Sequence, residues 1–187
     1  VTALAALGAD IAPDSSTAHL VVDIGAGTTE VAIITRGTPV VQAANTIGGN
    51  QLRNSVQAYI EDAVDVSISN VRASELLHHI GSATEVDSPE ERAIGDQDEQ
   101  IVCTNDISQA IDTPLEKITE LIRGVMQDSS AALLADVAVN GITLTGGVAN
   151  LSNLEARLSR RLSVPVSVTR NPAQAVVRGA AKTRPFV

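Results

Sequence analysis

The sequence predicts a layered α/β domain, and three observations carry that reading. Three β-branched apolar runs follow one another across short turns at residues 20–24, 30–34 and 40–44. Toward the C-terminus strand and helix patterns alternate, at residues 142–145, 151–162, 166–169 and 173–182. Between these parts the pattern is mostly helical. A meander followed by α/β alternation builds one sheet with helices packed on it. Residues 1–49 and 107–187 are therefore expected to form one subdomain, with residues 50–106 inserted into it.

Each element has a local reason. An Ala/Leu-rich stretch at residues 1–7 reads as a helix, and the linker at 9–17 carries Pro13 and polar turn residues. Gly25 to Thr28 turn the first strand into the second, and Gly37 and Pro39 mark the next turn. Gly48-Gly49 break the chain before a helix with Leu52, Val56, Tyr59 and Ile60 on one face. A second helix at 71–80 ends at Gly81, the position of a C-cap. Glu85, Asp87, Glu90, Glu91, Asp96, Asp98 and Glu99 follow, relieved only by Arg92, and read as a solvated loop. The ligand ladder with a turn glycine at set spacing that a calcium loop needs is not in it. Asp106 or Ser108 can cap a long helix bearing Ile111, Leu115, Ile118, Leu121, Ile122, Val125 and Met126. Pro114 fits a first turn, so the helix proper is expected to start near Thr113.

Composition narrows the function classes. Hydrophobic residues make up 44% of 187, but Tyr59 and Phe186 are the only aromatics, so Ala, Val, Leu and Ile must build the core. The net charge of −9 argues against a general nucleic-acid binder. A lone Cys103 excludes an internal disulfide and fits a reducing cytoplasm, as a buried thiol rather than a nucleophile. No apolar run reaches the ~18 residues of a membrane-spanning helix, so membrane association is expected only through partners. Arg157, Arg160, Arg161, Arg170, Arg178, Lys182 and Arg184 read as exposed faces of two helices. Adjacent His78 and His79 point about 100° apart on a helix and cannot share one metal ion.

The chemistry concentrates in V-V-D-I-G-A-G-T-T-E, residues 21–30. A hairpin tip this rich in Gly can close its backbone N–H groups around an anion. A second glycine pair, Gly146-Gly147 in T-L-T-G-G-V-A-N, again follows a strand and opens a helix. The two together suggest a cradle for phosphates and a nucleoside. The plain alternative is a pair of tight turns whose glycines supply only geometry.

These motifs carry a resemblance. The chain resembles the second half of the actin-like ATPases, most closely the bacterial actin MreB family. Residues 21–30 look like that family's second phosphate loop, D-x-G-x-G-T, and L-T-G-G-V-A-N-L looks like its adenosine motif. N-P-A-Q-A-V-V-R-G-A-A resembles its last connecting helix, and I-G-G-N and H-I-G-S-A fall in the expected order. The resemblance implies a ribonuclease-H-like, actin-type fold and ATP with magnesium in a cleft between two halves. It implies that Asp23 holds magnesium through water and that backbone groups of Gly25, Ala26, Gly27, Thr28 and Thr29 face the β- and γ-phosphates. Gly146, Gly147 and Val148 would pass beneath the nucleoside.

The chain also departs from the family. The first phosphate loop, D-x-G-[ST], and the half that carries it are absent from these residues. The Glu-Pro pair that orients water would fall at or before Val1. The expectation is a truncated or diverged second half with no catalytic residue of its own. Where bacterial actins read K-x-E-I-G, this chain has Leu77 and His79, and Asn50 replaces the Asp after the Gly-Gly pair. The implied function is an MreB-like cytoskeletal ATP-binding protein of cell shape and wall organisation. Its expected partners are itself or a full-length actin-like protein, with wall-synthesis or membrane-associated proteins beyond. Apolar surface near Leu4, Leu7, Ala175 and Val176 is expected to drive association. Two alternatives stay open: a non-nucleotide module that regulates filaments, and half of a heat-shock chaperone or sugar-kinase ATPase.

Overall fold

The computed structural model describes residues 1–94 and 100–183. Asp96, Asp98 and Glu99 of the acidic stretch, and Arg184 and Phe186, lie outside the described residues. The elements are α1 (Thr2–Gly8), β1 (His19–Ile24), β2 (Thr29–Thr35), β3 (Thr38–Asn45), α2 (Gly49–Val64) and α3 (Asn70–Ile80). They continue with β4 (Glu91–Ala93), β5 (Ile101–Cys103), α4 (Thr104–Gln127), α5 (Ala131–Asn140), β6 (Ile142–Thr145), α6 (Leu154–Leu162), β7 (Val166–Val168) and α7 (Ala175–Lys182). Short 3-10 turns precede α6 and α7, at Gly147–Asn150 and Pro172–Gln174.

A five-stranded sheet runs β3-β2-β1-β6-β7. The meander strands pair antiparallel, whereas β1 with β6 and β6 with β7 pair parallel. The central strands are apolar along their length because both faces are covered. Val21, Ala32 and Ile34 face Ala5 and Ala6 of α1. Leu20, Val22, Ile24, Val31 and Ile33 belong to the larger core with Leu52 and Val56 of α2 and Ile107, Ile111, Leu115 and Ile118 of α4. Three layers result: α1 with α7, the sheet, and the longer helices.

Several local expectations change. Pro114 lies inside α4 rather than in its first turn, because the helix starts ten residues earlier, at Thr104. There Cys103 and Asp106 form a reciprocal capping box that sets the start. Part of the acidic stretch is not loop: Glu91–Ala93 pairs with Ile101–Cys103 as a short antiparallel hairpin. Helix α5 has no amphipathic signature in the sequence, because its Ala, Leu and Val residues run almost all round the helix and leave no polar stripe. Gly81 follows α3 with ordinary extended angles, φ −69° and ψ 132°. A Cβ there would sit 2.1 Å from the Leu77 carbonyl oxygen, so glycine answers crowding and not handedness.

The apolar surface expected near Leu4, Leu7, Ala175 and Val176 is largely covered. Helices α1 and α7 pack on each other, Ala175 is fully buried, and the other three are half-buried. A Cβ on Gly8 would stand 1.7 Å from the Ala175 carbonyl oxygen, and one on Gly179 would stand 1.8 Å from that of Leu4. The absent side chains are what let the two helices touch.

Candidate functional site

Strands β1 and β6 are parallel neighbours, so the Gly25–Thr28 turn and the Gly146-Gly147 turn leave the same edge of the sheet side by side. This edge, outside the carboxyl ends of parallel strands, is where open α/β sheets bind ligands. Asp23 and Thr145 are register partners just below it. The Thr145 hydroxyl donates to Asp23 Oδ1 at 2.9 Å. Burial pushes the Asp23 carboxyl above its ordinary value; the Thr145 hydrogen bond pulls it back and Glu30, across the antiparallel pair, pushes it up again. No basic side chain pairs with Asp23 among the described residues. A half-buried carboxylate with one oxygen unpaired and a second acid beside it suits a hard cation. The sequence pattern does not mark Thr145 as a site residue, although it directly precedes the glycine pair.

The hairpin tip divides the residues expected there. Ala26, Gly27 and Thr28 are exposed, and their amides find no acceptor among the described residues. Gly25 is different: its amide donates to the Thr28 carbonyl at 2.9 Å, which closes the turn. Thr29 is fully buried in β2, and its hydroxyl donates to the Ile47 carbonyl at 2.7 Å. Three of the five residues therefore present free backbone donors, and two hold the tip in shape.

Helix α2 supports the tip from behind. The amides of Gly49 and Asn50 donate to the Gly25 and Ala26 carbonyls at 3.0 and 2.7 Å. The tip carbonyls are thus turned toward the helix.

The second loop is set by Gly146, whose φ is +85°. A Cβ there would lie 2.3 Å from the Ile24 carbonyl oxygen, so only glycine permits both the angle and the approach to β1. Gly147 faces open space, with nothing within 4 Å of an added Cβ. Val148 reaches toward Gly49, where a Cβ would meet its Cγ2 at 3.3 Å.

Between these loops and α3 lies a cavity of about 180 Å³, lined by Gly49, Leu52, Arg53, Ser74, Leu77, His78, Gly147, Val148 and Leu151 among others. The end of α3 is held over the second loop by a bridge between Ser82 and Ser152 and by Asn153 donating to the Ser82 hydroxyl at 2.9 Å. Leu77 enters the cavity lining and His79 does not; His78 takes part instead. Arg53 also lines it, a residue that nothing in the sequence singled out.

A family model described as MreB/Mbl protein matches residues 2–185. The chain belongs to the MreB/Mbl family. The cell shape-determining protein MreB of Escherichia coli strain K12 is 31% identical to it over 185 residues, which are 95% of this chain and 53% of that protein. The cell shape-determining protein Mbl of Bacillus subtilis strain 168 is 27% identical over 183 residues, 94% of this chain and 55% of that one. This MreB/Mbl-family chain spans about half the length of the curated relatives it matches. A crystal structure of MreB 5 of Spiroplasma citri bound to AMPPNP superimposes with a TM-score of 0.90 at 25% identity, covering 97% of this chain and 56% of that one. A MamK double helical filament shares the fold with a TM-score of 0.82 at 19% identity, over 98% of this chain and 59% of its own. The fold is therefore the actin-type one that the motif order implied. Membership in the MreB/Mbl family also sets aside the chaperone and sugar-kinase alternative. Among the described residues no helix is long and apolar enough to cross a membrane.

Proposed function

We propose that this chain carries the second-half wall of an ATP site in an MreB-like cytoskeletal protein that acts in cell shape and wall organisation. The observation that carries the reading is the single sheet edge where three free amides, the Asp23 carboxylate and the open face of Gly147 converge. Ala26, Gly27 and Thr28 would take the β- and γ-phosphate oxygens, as preorganised backbone dipoles do for anionic groups. Asp23, with Gly25 and Thr29 shaping the loop that follows it, would hold magnesium through water. The ion supplies positive charge that offsets the phosphates. Gly146, Gly147 and Val148 would pass under the nucleoside. The Spiroplasma citri relative crystallised with AMPPNP supports a nucleotide as ligand, and the MamK filament supports self-association. A second copy or a full-length actin-like protein is the partner we assign, in the cytoplasm, with wall-synthesis or membrane-associated proteins beyond it.

One wall offers few converging contacts. Residues 1–187 by themselves should bind magnesium-ATP no tighter than about 1 mM, or about −4 kcal/mol. Equilibrium dialysis of the purified chain tests this, with Asp23→Ala expected to weaken binding at least tenfold. Equal retention of ATP by both proteins, or by neither, contradicts the reading.

A second reading, a module that regulates filaments without nucleotide, is favoured by two observations. Leu77 puts an alkyl wall where the family presents a charged side chain. The first amides of α2 are already spent on the tip, which makes the tip a rigid structural corner. Absence of ATP binding together with co-sedimentation with a full-length actin-like protein is the outcome that selects it.

A further inference from the structure

Arg53 has the properties of a ligand contact that waits for its acceptor. It lies on α2 one turn after Gly49, and residues four apart share a helix face. Gly49 touches both Val148 and the hairpin tip. Arg53 therefore lies one helical turn, about 5.4 Å, farther from the phosphate end of the cleft. Across from it Ser74 and His78 share a face of α3 at the same spacing. Arg53 is half-buried, and its Nε is buried without a hydrogen-bond partner among the described residues. Arg72, Arg157, Arg161, Arg178 and Lys182 all pair with carboxylates, and Arg53 is not among the paired cations.

No carboxylate lines the cavity among the described residues, although the chain carries net charge −9. A guanidinium donates and never accepts. The Nη groups of Arg53 make no hydrogen bond among the described residues, so the ligand that suits this donor-only wall brings acceptors to them. Leu77 and Val148 add apolar lining beside it. We infer that Arg53 reads the sugar–base end of the bound nucleotide, donating to ribose oxygens or purine ring nitrogens, and sets affinity for the nucleoside rather than for the phosphates.

This inference rests on the nucleotide reading, and the test separates the two. The Arg53 Nε–Hε resonance and the amides of Ala26, Gly27 and Thr28 are followed by ¹H–¹⁵N NMR on the full 187-residue chain. Magnesium-ATP is titrated in one series and magnesium-tripolyphosphate, which has no nucleoside, in another. The expected result is that the tip amides move with both ligands, whereas the Arg53 signal moves only with ATP. Arg53→Met, which keeps the apolar stem, should lower ATP affinity at least fivefold and leave tripolyphosphate affinity unchanged. A folded Arg53→Met chain, judged by its unchanged core resonances, that binds ATP like the wild type overturns the inference and leaves the nucleotide reading standing. So does an unmoved Arg53 signal while the tip amides shift with ATP. Tip amides that respond to neither ligand overturn both. If Arg53→Met unfolds the chain, the Arg53 signal in the wild type alone decides.

Discussion

Thr145 donates to Asp23 across the parallel pair of β1 and β6, at 2.9 Å, and so ties the two loop-bearing strands together through one carboxylate. The carboxyl is nonetheless held above its ordinary value, chiefly by burial. A charge at Asp23 is therefore less favourable in the folded chain than in water.

That conflict is measurable in magnesium-free buffer. A carboxyl raised in the folded state binds more protons there than in the unfolded chain. Its favourable contribution is full below the unfolded value of 3.8 and is lost as pH rises through the folded one. Asp23→Asn should therefore raise the melting temperature at neutral pH and leave it unchanged near about pH 3, where Asp23 is neutral. The same variant should bind magnesium-ATP more weakly. A lowered melting temperature at neutral pH contradicts this account of the carboxylate.

Asp106 behaves in the opposite sense. Burial pushes its carboxyl up, but hydrogen bonds from the Cys103 amide, the Cys103 thiol and the Tyr59 hydroxyl outweigh this and hold it below 3.8. Its stabilising effect is present above 3.8 and is lost as pH falls through the folded value. Asp106→Ala should cost about 1 kcal/mol at neutral pH, the size of a lost helix cap. Urea unfolding at neutral pH and near about pH 3 should show the difference shrinking in acid.

The contact between α1 and α7 depends on two missing side chains. Gly8→Ala and Gly179→Ala each drive a Cβ into backbone and should cost roughly 1–3 kcal/mol. Because both act on one interface, the double variant should fall short of the sum. Val177→Ala, on the exposed face of α7, should stay within about 0.5 kcal/mol of the wild type. Thermal unfolding of the four variants checks the pattern.

Arg157 is buried, and its guanidinium reaches Asp112 at 2.8 Å and the Ala83 carbonyl at 3.0 Å, joining α6 to α4 and to the chain after α3. Its carboxylate partners remain partly exposed, Asp112 at 58% and Glu116 at 33%, so losing Arg157 strands no buried charge. Arg157→Met should cost about 1–2 kcal/mol, the value of lost charge-assisted hydrogen bonds. Chemical denaturation giving a loss beyond about 4 kcal/mol would mean that the partners depend on it more than their exposure indicates.

What could be read from the sequence was what short-range chemistry decides. Gly25 to Thr28 form a turn because the residue types demand one, and the strands on either side followed from their apolar runs. Gly146-Gly147 was legible for the same reason. The start of α4 was not, because a capping box on Cys103 overrides the signal of Pro114. Helix α5 lacks the polar stripe that marks an amphipathic helix, and the β4–β5 hairpin is too short and charged to show alternation. Thr29 reads like Thr28, yet one is buried and the other exposed, since strand pairing decides the difference. Arg53 could not be found at all: its place in the cleft depends on how α2 meets α3 and on Val148, nearly a hundred residues away.

The most direct measurement is a ¹H–¹⁵N NMR titration of the chain with magnesium-AMPPNP, with assigned amides on both loops. The account predicts that Ala26, Gly27, Thr28 and Gly147 shift together along one binding curve, while Gly25, whose amide is held by Thr28, moves least among the tip residues. Shifts confined to one loop, or two loops titrating with different midpoints, would contradict a single nucleotide site at this sheet edge.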